Sequence, residues 1–351
     1  MARTALIAGA TGAASKRLVE VLLEDPAWSV IGLSRNPPAS RTERLRYVSA
    51  DLLDAKSCRE ALRTFSGITH AFYCARAKFG EGGVEDVEQN AAMLRNVLDA
   101  IEPVAPGLEH VHLVEGTKWY GMHLGSMATP AREDDQRHMP PNFYYDQEDL
   151  LRERQAGKRW TWSASRPDFI YDYAPERPRN LVATIGAWAA MCRELGLPLD
   201  FPGKPGNYNA LCELTDATQL ARAMAWMATA PAARNQAYNV TDGGLIRWRR
   251  FWPRLAEHFG MKLGEVRPLT LGSWMKDKSP VWDRIVARHG LKPSRMEDVA
   301  LWEFGDFLWN REHDVISSVL KLRLHGFHDT VDSEEQVLAY LRRYREEKIL
   351  P

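Results

Sequence analysis

The sequence predicts an α/β fold, with a doubly wound parallel sheet in the first half and a smaller, mostly helical region after it. Three observations carry this reading. Short apolar runs alternate with helix-like stretches up to about residue 167, a glycine-bearing turn separates the first run from the first helix, and charged helical pattern dominates thereafter.

Residues 4–8 (TALIA) are the first strand candidate, followed by the turn and a helix through 16–23 (KRLVEVLL). Residues 29–33 (SVIGL), 46–49 and 70–74 (HAFYC) read as the second, third and fourth strands. Helical periodicity covers 84–101, and strand character returns at 110–114 (HVHLV). A helix is expected over 142–155 and a sixth strand over 161–165. Continuous apolar runs of this length, bounded by turn residues, suit parallel strands buried on both faces. Beyond Pro167, residues 181–195 form a long apolar helix, 236–240 (QAYNV) a strand and 248–259 another helix. The expected division is a dinucleotide-binding domain over 1–167 and a mainly substrate-binding domain over 168–351. Residues from about 212 to 240 are expected to return in part to the first.

The 351 residues carry 46 Lys plus Arg and 46 Asp plus Glu, so nothing in the charge points to nucleic acid. Cys58, Cys74, Cys192 and Cys212 form no CxxC pair, which suits reduced thiols in a cytoplasmic protein. The opening MARTALIAGATG lacks a secretory h-region, and no apolar run approaches 18 residues, so no membrane partner is expected. Twelve tryptophans, many in the second half, suggest a bulky aromatic wall there. His110 and His112 alternate with apolar residues on one strand, and packing explains them better than metal ligation.

The turn from Gly9 through Thr11, Gly12 and Ala13 to Ser15 sits between the first strand and helix. Glycines there allow a tight turn and close approach to a pyrophosphate at a helix N-terminus, as in Rossmann-type folds. Ser15 stands where a GxxGxxG loop has its third glycine. The second strand ends in Ser34, Arg35 and Asn36, with no carboxylate until Glu43. A cation in place of an acid favours the 2′-phosphate of NADPH. Asp51 and Leu52, after the third strand, stand where the adenine would lie. Ala75, Val114, Tyr144, Pro167 and Ile170 complete the expected cofactor contacts.

A reductase on such a fold commonly carries Tyr-x-x-x-Lys on one helix, where the ammonium lowers the phenol pKa. The literal match, Tyr344 to Lys348, lies far beyond the sheet strands and is rejected. The tyrosines in the right place are Tyr144 and Tyr145, but four residues on from them stand Glu148 and Asp149. Lys118, in the segment EGTKWY after the fifth strand, can replace the missing cation from another element. These residues resemble the progesterone 5β-reductase and iridoid synthase family of atypical short-chain dehydrogenases. That family carries an NFYYxxED motif, matched from Asn142 to Asp149, and a lysine in a TGRKHY-like segment, matched at Lys118. Further similar segments are THAFYCA, LRNVLDA, TWSASRP, PVWDRIV, FGDF and the closing KILP.

The resemblance implies Tyr144 as the catalytic tyrosine with Lys118 as its partner. The sequence departs from the family at Ser15, at Thr117, at Asp168-Phe169, over Arg177-Pro178-Arg179 and after Tyr120, which leaves the substrate open. The expected chemistry is NADPH-dependent 1,4-reduction of an α,β-unsaturated ketone or aldehyde, with the enolate oxygen held by Tyr144. Direct reduction of an aldehyde or ketone, alcohol oxidation and a non-enzymatic NADP-binding regulator remain alternatives, as does nucleotide-sugar epimerisation by fold analogy. A small apolar enone or carbonyl compound is the expected substrate, and an exposed helical face could support a homodimer.

Overall fold

A computed structural model describes residues 2–78 and 85–351 of the chain. It divides into two compact units, the first comprising Met1–Asp168, Ala217–Thr241 and Ser317–Asp329, the second Phe169–Asp216, Asp242–Ile316 and Thr330–Pro351.

The first unit is built on a seven-stranded parallel sheet. Its strands are β1 (Arg3–Ala8), β2 (Trp28–Ser34), β3 (Leu45–Ser49), β4 (His70–Tyr73), β5 (His110–Val114), β6 (Thr161–Pro167) and the strand Gln236–Val240. They lie in the order Gln236–Val240, β6, β5, β4, β1, β2, β3. All seven overlap the strand candidates of the sequence. Helices α1 (Ala13–Glu24), α2 (Ala55–Leu62), α3 (Val87–Ile101) and α4 (Phe143–Gln155) connect the strands. Helical periodicity from 84 begins at Val84, which lies outside the described residues. α2 buries Cys58 and Leu62, one turn apart, and Asp54 caps it by accepting the Lys56 N–H at 2.8 Å.

Alternation along each strand separates two faces. Leu6, Ala8, Ala71, Tyr73, Val111, Leu113, Trp162 and Ala164 share one core cluster with Met93, Leu94, Val97 and Leu98 of α3 and Leu151 of α4. The opposite face carries a polar row in which His110 bonds Thr161 Oγ1 at 2.8 Å and Ser163 Oγ at 2.7 Å. His112 continues it to Ser163 Oγ at 2.8 Å and Ser165 Oγ at 3.1 Å. These histidines are buried, hydrogen-bonded packing groups, and no cluster of metal-ligand type occurs among the described residues.

The second unit is mainly helical. Its helices include Leu181–Glu194, Trp248–His258, Ser279–His289, Trp302–Trp309 and Ser333–Glu346. Residues 181–192 are buried on every side, which is why that segment reads as apolar without a period. Trp188, Trp252, Trp282 and Trp309 fill its core, so the tryptophans of the second half are chiefly packing. No disulfide joins the four cysteines, and no described helix is long and apolar enough to cross a membrane.

Burial pushes His70 down to about 4 and His112 to about 3, and it lowers His110 as well. The unfolded chain binds protons near the ordinary histidine value while the folded chain refuses them. Stability is therefore present at pH 7 and lost as pH falls toward the folded pKa values, by about 1.4 kcal/mol per pH unit for each such histidine. Urea midpoints between pH 6.5 and 5 should fall on acidification, and less steeply in His112→Asn. Parallel profiles for the two proteins would exclude this assignment for His112.

Candidate active site

The strand order reverses between β1 and β4, and in doubly wound sheets the carboxyl ends of the strands at that point form the ligand crevice. Gly9 ends β1 there with a left-handed φ of 80°. A Cβ at this position would stand 2.9 Å from Ala75 Cα, so only glycine allows the approach. The Gly9 and Ala10 N–H groups both donate to Leu33 O, at 3.1 and 3.0 Å. Gly12 N donates to Gly9 O and to Ser15 Oγ, both at 3.0 Å, and the Ser15 hydroxyl donates to Gly9 O at 2.5 Å. Helix geometry leaves the first N–H groups of α1, from Ala13 onward, without an intrahelical acceptor.

Around this loop, Thr11 Oγ1 lies 3.3 Å from Ser34 Oγ, and Arg35 and Asn36 stand exposed beyond β2. Exposed Asp51 and buried Leu52 follow β3, and Asp51 Oδ1 accepts the Leu53 N–H at 3.1 Å. Val114 and Pro167 end β5 and β6. The structure thus gathers Gly9, Thr11, Gly12, Ala13, Ser34, Arg35, Asn36, Asp51, Leu52, Ala75, Val114 and Pro167 at one end of one sheet. Ile170 falls in the second unit, where it opens the short strand Ile170–Tyr171. The glycine-lined turn on a helix N-terminus fits a dinucleotide pyrophosphate.

Beyond β5 come buried Glu115, extended Gly116 and a 3-10 turn, Thr117–Tyr120, that carries Lys118. The Thr117 hydroxyl donates to Asp168 Oδ1 at 2.7 Å and fastens the turn to the residue after β6. Tyr144 sits in the first turn of α4. A Cβ on Gly116 would lie 3.2 Å from Tyr144 Oη and 3.3 Å from Pro167 O, so the bare glycine makes room for the phenol. Lys118 Nζ donates to Glu85 Oε1 at 2.9 Å, and Arg76 Nη1 reaches the same oxygen at 3.2 Å. Burial foremost, with the Glu85 charge second, holds the Tyr144 phenol above the ordinary tyrosine value, while Arg76 opposes the shift. The phenol is consequently a protonated hydrogen-bond donor at neutral pH.

Behind the turn, the buried Arg166 guanidinium from β6 donates through Nε to Glu115 at 2.7 Å and through Nη2 to Glu148 at 3.0 Å. It stacks on the Trp119 ring with Cζ 3.6 Å from the centroid. Glu148, the residue in the usual lysine register from Tyr144, therefore belongs to a buried ion network. Tyr344 of the rejected motif lies buried in the second unit, where its hydroxyl accepts the Ala174 N–H at 3.1 Å.

Sequence reasoning missed Glu85 and Arg76, which no local pattern singles out. It also missed Arg166, the one charged residue of the strand TWSASRP, which is buried.

Residues 44–351 match the family model described as a PRISE-like Rossmann-fold domain. The chain is 36% identical over 365 residues to (S)-8-oxocitronellyl enol synthase ISY1 of Nepeta racemosa, covering 99% of this chain and 93% of that protein. It is 35% identical over 368 residues to the 3-oxo-Delta(4,5)-steroid 5-beta-reductase of Arabidopsis thaliana, with the same coverage of 99% and 93%. Among solved structures, UDP-glucose 4-epimerase of Thermus thermophilus in complex with NAD aligns with a TM-score of 0.66 at 20% identity, covering 97% of this chain and 99% of that one. UDP-glucose 4-epimerase of Thermotoga maritima aligns with a TM-score of 0.69 at 16% identity, covering 98% and 99%. The structural likeness shows the fold, and the sequence matches show the family: this chain belongs to the PRISE-like Rossmann-fold proteins.

Proposed function

We propose that this chain is an NADPH-dependent enone reductase, which saturates the C=C bond of an α,β-unsaturated ketone or aldehyde by 1,4-addition. The observation that carries the reading is the Tyr144 hydroxyl against Gly116, at the same end of the sheet as the glycine loop and beside the turn that bears Lys118. The names of the relatives agree with it. A 3-oxo-Δ(4,5) steroid is an enone whose β-carbon is C5, and an enol synthase releases the species that 1,4-addition creates.

The residues of the glycine loop and Arg35 would hold the dinucleotide, Arg35 at the 2′-phosphate. When bound, the reduced nicotinamide supplies the hydride. As the β-carbon of the substrate gains that hydride, the C=C electron pair moves and negative charge collects on the carbonyl oxygen. The Tyr144 O–H donates a hydrogen bond to this oxygen, and the Lys118 charge lowers the cost of the developing anion. Solvent then protonates the α-carbon. A phenol held above its ordinary pKa suits this donor role and works against the phenolate that alcohol oxidation would require. The helical second unit takes the substrate-binding role in this reading.

NADPH consumption with 2-cyclohexen-1-one should yield cyclohexanone, and Tyr144→Phe should lower kcat by about 10²- to 10⁴-fold. Allylic alcohol as the product, or near-normal turnover in the variant, would refute the assignment. Arg35→Glu should lower kcat/KM for NADPH relative to NADH by about 10- to 100-fold, the loss expected for a charged hydrogen bond. An unchanged coenzyme ratio would place the 2′-phosphate elsewhere.

A further inference from the structure

Asn142, Tyr145 and Glu148 lie three residues apart, so they share one face of α4 and its N-cap. All three reach the Thr117–Tyr120 turn. Asn142 caps the helix, its Oδ1 accepting the Tyr144 N–H at 3.1 Å, while its Nδ2 donates to Lys118 O at 2.8 Å. The Tyr145 hydroxyl donates to Trp119 O at 2.5 Å and accepts the His138 N–H at 2.9 Å. Glu148 Oε2 accepts the Trp119 indole N–H at 2.9 Å. Arg166, stacked on Trp119, holds the other side of the same ring.

A helix needs only half of what Asn142 provides. The cap uses the amide oxygen, which a serine hydroxyl could supply equally, whereas the amide nitrogen is committed to the Lys118 carbonyl. In a one-helix Tyr-x-x-x-Lys pair, helix periodicity fixes the two side chains relative to each other. Here they belong to separate elements, and position 148 is taken by a carboxylate that binds the turn instead of by a lysine.

We propose that Asn142, Tyr145 and Glu148 are positioning residues that set Lys118 against Tyr144 by clamping the Thr117–Tyr120 turn to α4. The inference rests on the roles given to Tyr144 and Lys118 above. Main-chain oxygens of residues 118 and 119 and the Trp119 indole are all tied to the helix that presents Tyr144. A shift of the turn therefore moves the ammonium relative to the phenol.

The test is steady-state NADPH oxidation with 2-cyclohexen-1-one by wild type, Asn142→Ser, Tyr145→Phe, Glu148→Gln, Lys118→Ala and the Asn142→Ser/Lys118→Ala double variant, with melting temperatures alongside. Asn142→Ser keeps the cap and should retain a near-wild-type melting temperature. Its kcat should fall about 10-fold with KM for the enone within about 2-fold. In the Lys118→Ala background the same change should alter kcat by less than about 2-fold, because the group it positions is gone. Tyr145→Phe should follow the same pattern and decides the matter if Glu148→Gln does not fold. Wild-type kcat in Asn142→Ser and Tyr145→Phe, or the same fold-loss in both backgrounds, would overturn the clamp. A wild-type chain that turns over no enone would overturn the functional reading and this inference with it. Enone reduction lost in Tyr144→Phe but untouched in Asn142→Ser would overturn the clamp alone.

Discussion

The site end of the sheet depends on one buried cation. Arg166 is 1% exposed, and four hydrogen bonds hold it: to Glu115, to Glu148, to the Tyr120 hydroxyl at 3.1 Å and to Glu133 O at 3.3 Å. Taking a guanidinium out of water is costly, and removing one partner of such a buried pair costs about 3–5 kcal/mol. The partners come from the end of β5, from α4, from the 3-10 turn and from the segment around Glu133. None of these can move independently without exposing part of that cost. Two carboxylates share the one guanidinium, and they are not equivalent. Glu148 also accepts from Arg152 and the Trp119 indole; against the cost of burial, Arg166 first and then these groups hold its carboxyl below the usual value. Among the described residues Glu115 has no second cation and its Oε1 is buried without a partner, and burial, against the pull of Arg166, pushes it up to about 8.

That network changes what a missing lysine means. By the Tyr-x-x-x-Lys pattern, the carboxylate at 148 is a defect in the motif. In the structure it lies 1% exposed between Trp119 and Arg166, where an ammonium would meet a guanidinium. In the proposed mechanism the cation near the phenol comes instead from the turn after β5, which bears Lys118. Lys118 in turn carries a counter-charge, Glu85, which it shares with Arg76. Both cations thus meet a carboxylate; burial first and that carboxylate's own charge second raise the Tyr144 phenol, which keeps that hydroxyl a donor.

The sheet was legible in the sequence for a simple reason. Central parallel strands buried on both faces read as short apolar runs, while the edge strand β3, exposed at Arg46 and Ser49, shows a weaker run. Helices were harder. α2 is only eight residues long, the second unit is assembled from segments distant in sequence, and the chain returns to the first unit at Ser317–Asp329, which no local pattern marks. At the candidate site, the positions of Tyr144, Lys118 and the glycine loop near strand ends were legible because spacing from a strand is a local property. Glu85, Arg76 and Arg166 act through contacts 9 to 51 residues away in the chain, and such pairing leaves no periodic trace. The Asn142 side chain was visible as part of a motif, yet its bond to the Lys118 carbonyl was not.

Ser15 shows how a departure from a fingerprint can be read physically. The third glycine of the dinucleotide loop normally permits close packing of helix on strand. Here the position is filled and fully buried, which a hydroxyl tolerates only when its hydrogen bonds are met. They are met within the loop itself, by Gly12 N as donor and Gly9 O as acceptor. Those are the two glycines whose backbone conformation the anion site requires. A small residue would leave the turn to be ordered when the ligand arrives, at a cost in conformational entropy. The serine fixes the turn beforehand, so the loop gives up packing freedom at one position and gains a preformed cradle at two others.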